Sequence, residues 1–101
     1  MLFFLTETWP LTSSVDVGKE AMKLASTPLP RYMKMHGPWV TLGGDGVKSY
    51  TIYEVKKGHE DEGYKVVVKR LAGMFSIEGF KASTEVVLPM VEALPFVGLS
   101  L

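Results

Sequence analysis

Hydrophobic and polar positions recur along this chain with periods that predict six regular elements. Alternation of apolar and polar residues predicts four strands, and apolar residues spaced three and four positions apart predict two helices. The predicted strands cover residues 1–9, 39–42, 47–56 and 79–91. The first predicted helix starts around residues 12–14 and stops near Ser26, and the second starts around residues 60–62 and fades by Phe75 or Ser76. The predicted order is therefore β-α-β-β-α-β.

The first predicted strand is apolar on both of its sides. Phe3, Leu5 and Trp9 point to one face of the strand, and Leu2 and Phe4 point to the other. Strands with this pattern are typically covered on both sides. We therefore expect this strand at the centre of a sheet, with other parts of the structure packed against each face.

Gly43, Gly44, Asp45 and Gly46 separate two strand-like runs and predict a tight β-hairpin. Glycine adopts the positive φ angles of such turns without steric cost. The alternative, a phosphate-binding loop, requires a helix directly after the glycines, whereas a strand follows here. That strand has large apolar side chains on both faces. One face carries Val47, Ser49, Thr51, Tyr53 and Val55, and the other carries Lys48, Tyr50, Ile52, Glu54 and Lys56.

Each predicted helix carries one apolar stripe. In the first helix the stripe is Val17, Ala21, Leu24 and Ala25, and Thr12, Ser13 and Ser14 are candidate N-caps. In the second helix, the acidic residues 60–62 predict the N-terminus, because negative charge interacts favourably with that end of the helix dipole. The stripe there is Tyr64, Val67, Val68, Leu71 and Phe75, and Lys65, Lys69 and Arg70 are predicted to face solvent or to lie in the C-terminal half.

The remaining segments are a linker and a tail. Residues 31–36 read as a linker or a strand extension, in which Arg31, Lys34 and His36 interleave with Tyr32, Met33 and Met35. Such interleaving also occurs in nucleic-acid-binding patches, but the neutral chain favours a solvated linker with its apolar members under the sheet. Pro89 marks an edge or the end of the last strand. The apolar tail, residues 91–101, is predicted to form a helical turn and to dock on a neighbour.

Composition narrows the class of protein without naming a chemistry. The 101 residues include eleven basic and eleven acidic ones, so no net charge favours nucleic acid or an anionic membrane. The absence of cysteine excludes disulfides, thiolate catalysis and cysteine-ligated metals and fits a cytoplasmic protein. The apolar N-terminal run ends at Thr6, which is too short for a signal peptide or a membrane span. We expect one domain, residues 1–101, with no membrane insertion and no nucleic-acid partner.

The element order predicts an α+β, ferredoxin-like fold, a four-stranded antiparallel sheet with both helices on one face. The third strand should lie beside the first, and the fourth on the first strand's other side. Two helices cover only one face, yet strands one and three are apolar on both. An exposed apolar patch of this size is a liability or an interface. We therefore predict a homodimer packed sheet against sheet with two-fold symmetry.

Several short motifs resemble those of a known superfamily. They are Gly37-Pro38-Trp39, Gly43-Gly44-Asp45-Gly46, Tyr50, Glu54-Val55 and Ile77-Glu78-Gly79-Phe80. Together with the element order, they are similar to small uncharacterised ferredoxin-like proteins of the dimeric α+β barrel superfamily. The resemblance implies this fold and a homodimer. That superfamily includes cofactor-free monooxygenases, haem-degrading enzymes, dye-decolourising peroxidases, muconolactone isomerases and ligand-sensing domains, so the resemblance does not select an activity.

Three titratable residues, Glu7, His36 and Glu54, are candidates for acid–base chemistry. The two glutamates lie among apolar neighbours, where burial raises a carboxyl pKa. The alternatives place Glu7 in solvent at a strand end and Glu54 in a pair with a lysine. His36 and His59 do not have the spacing of metal ligands. Candidate ligand-binding residues are the aromatic Trp9, Trp39, Tyr50 and Tyr53, which with the glutamates are predicted to line a cavity between sheet and helices. No metal site and no cofactor is predicted.

Two functions fit these features. The first is a homodimeric module that binds a small apolar ligand or another protein. The second is a cofactor-independent monooxygenase or isomerase that works in the cavity between sheet and helices. A carboxyl or imidazole buried without a charge partner beside a closed cavity would favour the enzyme, and the same groups in bulk water would favour the module.

Overall fold

The computed structural model describes residues 1–101 as an α+β fold with one four-stranded antiparallel sheet and three helices. The elements are β1 (Leu2–Trp9), α1 (Ser14–Ala25), β2 (Met33–Gly43), β3 (Gly46–Val55), α2 (Glu60–Ala72), β4 (Lys81–Val87) and the short α3 (Met90–Ala93). Two 3₁₀ turns, Leu11–Ser13 and Leu94–Val97, precede α1 and follow α3. The predicted order of the first six elements is confirmed.

The strands lie in the order β2-β3-β1-β4. β1 therefore pairs with β3 on one side and with β4 on the other, both antiparallel, as predicted. The registers place Phe3 opposite Tyr53 of β3 and opposite Val86 of β4. Each helix connects two strands that have a third strand between them, which makes two split β-α-β units. This topology is compatible with the predicted ferredoxin-like architecture.

β2 is longer than the predicted strand of residues 39–42. It begins at Met33, which is buried, so the segment 31–36 is a strand extension with an apolar member in the core. The register between β2 and β3 is irregular between His36 and Trp39, where a cis peptide joins Gly37 to Pro38. The irregularity changes which face the later residues of β2 occupy.

The core lies between α1, α2 and one face of the sheet, which we call the helix face. β1 contributes Phe3 and Leu5, β3 contributes Tyr53 and Val55, and all four side chains are buried. β2 contributes Met33, and the helices and connecting segments complete the core with Val17, Val67, Leu71, Met74 and Phe80. Only 15 of the 101 residues are buried, so this core is thin for a chain of its size.

The opposite face of the sheet, which we call the bare face, has no helix packed against it. It carries Leu2, Phe4, Tyr50 and Ile52, all half-buried, and the exposed Trp39. The Phe4 and Tyr50 rings stack with centroids 5.8 Å apart. The thinnest dimension of the fold is 17 Å, which fits one sheet and one layer of helices. The expectation that β1 is covered on both sides is therefore not met within one chain.

Ser13 and Ser14, at the start of α1, were predicted to cap this helix, but neither side chain does so. Ser13 Oγ donates a hydrogen bond to the carbonyl oxygen of Glu78 over 2.7 Å, and Ser14 Oγ accepts one from Trp9 Nε1 over 3.1 Å. Neither hydroxyl bonds a free backbone N–H of the helix. These hydroxyls instead tie the start of α1 to β1 and to the segment before β4.

The hairpin between β2 and β3 is confirmed, but its turn differs from the prediction. Of its glycines only Gly46 has a positive φ, 116°. A Cβ atom on Gly46 would lie 2.6 Å from the carbonyl oxygen of Trp9. Glycine is required here mainly because the end of β1 passes so close, a tertiary contact that turn chemistry does not reveal.

α2 lies close to the sheet and ends earlier than its apolar stripe suggests. Gly63 is buried against Val55, while Tyr64 and Val68, predicted for the buried stripe, are largely exposed. The helix stops at Ala72, and the turn that follows buries Met74 instead of Phe75. Phe75 packs edge-on against Phe80 with ring centroids 6.3 Å apart.

The tail contains the helical turn that the sequence predicts, formed by α3 and the following 3₁₀ turn. Its apolar side chains are exposed, among them Met90, Val91, Phe96, Val97, Leu99 and Leu101. Docking of this tail on a neighbour stays a prediction. None of the helices has the length and apolar character needed to cross a membrane.

Candidate functional site

A cavity of about 330 Å³ lies between the helix face of the sheet and the two long helices. Most of its lining is apolar, contributed by Leu5, Ala21, Met22, Leu24, Ala25, Met35, Pro38, Leu71 and Met74. Four polar side chains also reach it, namely Glu7, Thr51, Tyr53 and Arg70. A small apolar cavity with a few converging polar groups is the usual form of a ligand site.

The cavity exists because α1 presents small side chains to the sheet. Val17 is the one residue of α1 that is buried, and the predicted stripe continues with Ala21, the half-buried Leu24 and Ala25. Both alanines line the cavity and remain accessible. Because an alanine side chain is one methyl group, these two positions leave space above β1 and β3 that Leu24 fills only in part.

Three methionines surround this space. Met74 is buried, whereas Met35 and Met22 remain exposed at the rim. Methionine has an unbranched, polarizable side chain that adapts to irregular partners and makes favourable contacts with aromatic rings. This lining suits an apolar ligand without fixing its shape.

Arg70 and Tyr53 form the polar pair of the cavity. Arg70 Nε donates a hydrogen bond to the Tyr53 hydroxyl over 3.3 Å. Tyr53 is buried and Arg70 is half-buried. The ion pairs of the chain are Lys23–Glu20, His36–Glu54 and His59–Glu62, so no carboxylate neutralises Arg70.

Glu7 is the acid of the cavity. It is half-buried in β1, and burial raises the pKa of its carboxyl because its charged form loses solvation. It takes part in none of the ion pairs of the chain. An enzyme would require a partly buried acid or base that has no charge partner and lies beside a closed cavity. Glu7 has no charge partner and lines the cavity, so it meets the first part of this condition. The cavity, however, is open to solvent at the exposed Met22.

The structure divides the predicted site residues between two faces of the sheet. Glu7 and Tyr53 line the cavity, as predicted. Trp9 lies on the same face but does not line it, because its indole stacks on Phe80 with ring centroids 6.3 Å apart and its Nε1 donates to Ser14.

The other four predicted residues lie on the bare face and do not join the cavity. His36 Nε2 is 3.2 Å from Glu54 Oε2, and both side chains are about half exposed. Trp39 and Tyr50 occupy directly opposed positions of β2 and β3. Glu54 therefore pairs with a histidine where the sequence suggested a lysine, and these residues belong to the exposed sheet surface.

Arg70 is the charged cavity residue that the sequence analysis did not assign to the site. It was predicted to face solvent or to lie in the C-terminal half of α2. Its position gave a usable signal, however, because Arg70 follows Val67 by three residues and directly precedes Leu71, which places it beside the buried stripe of the helix. A long side chain at such a position can direct its charged end into a space next to the core.

The chain has no group of three or more histidine or carboxylate side chains arranged to hold a metal ion. The basic residues Arg31, Lys34 and Lys56 border a separate groove, where Glu54 and Glu92 interrupt the positive charge. Comparison of the chain with protein-family models gives no match, and comparison with curated proteins gives none either.

Proposed function

We propose that this protein is a homodimeric module that binds a small, mostly apolar ligand in the cavity between its sheet and helices. The observation that carries the proposal is the cavity itself, in which nine of the thirteen lining residues are hydrophobic. Its volume is near the lower end of the range of roughly 300–1,000 Å³ that small-molecule sites occupy. An apolar ligand with as many as about three aromatic rings fits such a space.

Burial of the lining residues supplies the driving force for binding. Removing apolar surface from water contributes roughly 25 cal/mol for each Å². Leu24, Met22 and Met35 keep part of their surface accessible in the free protein. An apolar ligand would shield this surface from water. Because the sheet is already in place, little conformational entropy of the protein would be lost on binding.

Binding can be tested with N-phenyl-1-naphthylamine, an uncharged probe whose fluorescence rises in apolar surroundings. We expect saturable binding, and we expect Ala25→Phe to weaken it strongly because the new ring would occupy the cavity. Ala72→Phe is the matched control, because Ala72 is exposed on α2 and does not line the cavity. Equal binding by the two variants, or no saturable binding by the parent, would refute the proposal.

The homodimer is proposed from the bare face. Full burial of a large apolar side chain is worth roughly 1.5–3 kcal/mol, and Leu2, Phe4, Tyr50 and Ile52 are only half-buried in one chain. Charged residues surround this apolar centre, with Lys48 and Lys81 at one end and Glu54 at the other. An apolar centre with a polar rim is the usual composition of an interface.

Face-to-face packing of two sheets would bury this centre against its own copy. Such a dimer is the assembly of the dimeric α+β barrel proteins that the chain resembles. A two-fold contact uses the same patch on both subunits, so one apolar face on each subunit is enough to form the dimer.

Light scattering tests the dimer directly, because a dimer has twice the 11.2 kDa mass of the chain. Ile52→Lys, at the centre of the bare face, should reduce the mass to that of one chain. Val15→Lys is the control, because Val15 is exposed on α1, away from this face. A parent protein that is monomeric at micromolar concentration would overturn the dimer.

An enzyme is the second candidate, and Glu7 favours it. A carboxylate whose pKa is raised by burial in a cavity is a stronger base than one in water, which suits it to proton transfer. In an isomerase or a cofactor-independent oxygenase, Glu7 would abstract a proton from a carbon acid bound beside it.

Native mass spectrometry of freshly purified protein would identify any retained molecule. We would then incubate that molecule with the parent and with Glu7→Gln. Conversion by the parent alone would support catalysis, whereas unchanged recovery from both would leave only the binding module.

A further inference from the structure

We infer that the ligand of the cavity carries a carboxylate, and that this carboxylate binds to the Arg70 guanidinium and the Tyr53 hydroxyl. The inference rests on the proposed function, because it assigns the polar end of a ligand in the same cavity. It follows from the hydrogen bonds and charges at the inner side of that cavity.

Arg70 has hydrogen-bond donors to spare. Its Nε donates to the Tyr53 hydroxyl over 3.3 Å, which leaves the terminal nitrogens of the guanidinium without an ion-pair partner in the chain. The hydrogen bond also holds the plane of the guanidinium at the cavity. A planar guanidinium matches a carboxylate with two parallel hydrogen bonds.

Tyr53 provides a second donor at the same place. Its hydroxyl oxygen accepts from Arg70, so its own proton is free to donate. The Tyr53 side chain is only 4% exposed and lines the cavity, so an acceptor on a bound ligand is a suitable partner. Two donors fixed relative to each other are preorganised for one anionic acceptor.

The rest of the cavity determines what accompanies the carboxylate. Arg70 is the single cation of the lining, which balances one negative charge but not the two of a phosphate monoester. The apolar lining with Met22, Met35 and Met74 accepts an alkyl or aromatic body. Glu7 lies in the same cavity without pairing with Arg70, so the guanidinium stays available to the ligand.

The test compares two probes that differ only at their polar end, phenylbutyrate and phenylbutanol. Titration calorimetry at neutral pH should show that the parent binds phenylbutyrate about tenfold more tightly, because a hydrogen bond to a charged group is stronger than one between neutral groups. Arg70→Gln should remove this preference while binding of phenylbutanol persists. Arg70→Lys should restore part of it, because a lysine keeps the charge but lacks the planar fork.

Lys69→Gln is the matched control, because it removes a neighbouring positive charge from the exposed side of α2. It should leave the preference intact. Tyr53→Phe keeps the ring in the core and should lower phenylbutyrate affinity severalfold. Thermal unfolding of each variant verifies that it is folded.

The outcomes separate this inference from the proposed function. Equal affinity for the two probes, or an equal loss of both on Arg70→Gln, would overturn the carboxylate assignment and leave the apolar site standing. Binding of neither probe, together with no binding of the uncharged naphthylamine, would overturn the site itself.

Discussion

At the scale of single residues, Glu7 is the least expected feature of the helix face. Its neighbours along that face of β1 are Leu5 and Trp9, and its carboxyl lacks the ion-pair partner that normally offsets burial of a charge. Loss of solvation raises the pKa of this carboxyl. Such a group lowers stability when it is ionised, which is a cost that proteins retain mainly at functional sites.

The pH dependence of stability follows from the direction of this shift. A raised pKa in the folded state means that folding favours the protonated carboxyl, so its contribution is fully present at low pH and is lost as pH rises through the folded pKa. Glu7→Gln should therefore melt at a higher temperature than the parent at about pH 7, and the difference should shrink at about pH 4.

Thermal unfolding followed by circular dichroism at the two pH values measures this difference. Glu78→Gln, at an exposed position, should change the melting temperature little at either pH. A Glu7→Gln variant that is less stable than the parent near neutral pH would contradict the prediction.

Gly46 shows how one backbone position depends on a neighbouring strand. Its φ of 116° and its approach to the Trp9 carbonyl oxygen both exclude a side chain. Gly46→Ala should lower the free energy of unfolding by about 1–3 kcal/mol. Gly44→Ala in the same turn should change it by less than about 0.5 kcal/mol, because a Cβ there meets no atom within 4 Å. Urea unfolding of both variants compares them, and equal losses would show that turn flexibility alone matters.

At the scale of elements, the two long helices contribute unequally to the core. α2 buries Gly63, Val67 and Leu71 against the sheet, whereas α1 buries Val17 alone. The contact of α2 is close because glycine is present at position 63. A Cβ there would lie 2.7 Å from both methyl carbons of the fully buried Val55. α2 is therefore fixed on the sheet, and the cavity opens beneath the other helix.

The same substitution should have opposite effects in the two helices. Gly63→Ala should lower the free energy of unfolding by about 1–3 kcal/mol, because the added methyl group overpacks the contact with Val55. Gly18→Ala in α1 should raise it by about 0.5–1 kcal/mol, because alanine favours a helix interior and a Cβ there meets no atom within 4 Å. Urea unfolding measures both values, and a stabilising Gly63→Ala would show that α2 is free to move.

At the scale of the whole molecule, one chain leaves much apolar surface accessible. The bare face and the tail are both uncovered, and the radius of gyration is 15.3 Å, compared with about 13 Å for a compact chain of this length. A second subunit on the bare face would cover the first of these two surfaces. The free energy of unfolding would then depend on association of the two subunits.

This linkage predicts that the melting temperature depends on protein concentration. A dimer gains stability by mass action as concentration rises, so dilution should lower the melting temperature of the parent. The melting temperature of Ile52→Lys should stay constant over the same range of concentrations. Differential scanning calorimetry at several concentrations measures both, and a concentration-independent parent would argue against an obligate dimer.

The strand faces were predictable from the sequence, but the composition of the cavity was not. Alternation along β1 and β3 correctly separated Leu5 and Tyr53 from Phe4 and Tyr50, because side chains of a regular strand alternate strictly. Trp39 could not be placed in this way, because the irregularity in β2 after His36 changes its face. The position of Arg70 beside the buried stripe of α2 indicated that its side chain could reach the core, but its entry into the cavity also depends on the space left by α1, which is a property of packing.

The edges of the sheet limit how these molecules can assemble. At the outer edge of the sheet, Pro38 of β2 has no N–H group to donate to another strand. The register of β2 is also irregular there, between His36 and Trp39. On the other side, β4 has only seven residues, begins with Lys81 and is followed closely by Pro89. Short, charged or proline-interrupted edges resist the addition of further strands. Polymerisation along the hydrogen-bonding direction is thereby discouraged, whereas the proposed contact between two bare faces would be complete once two copies have met.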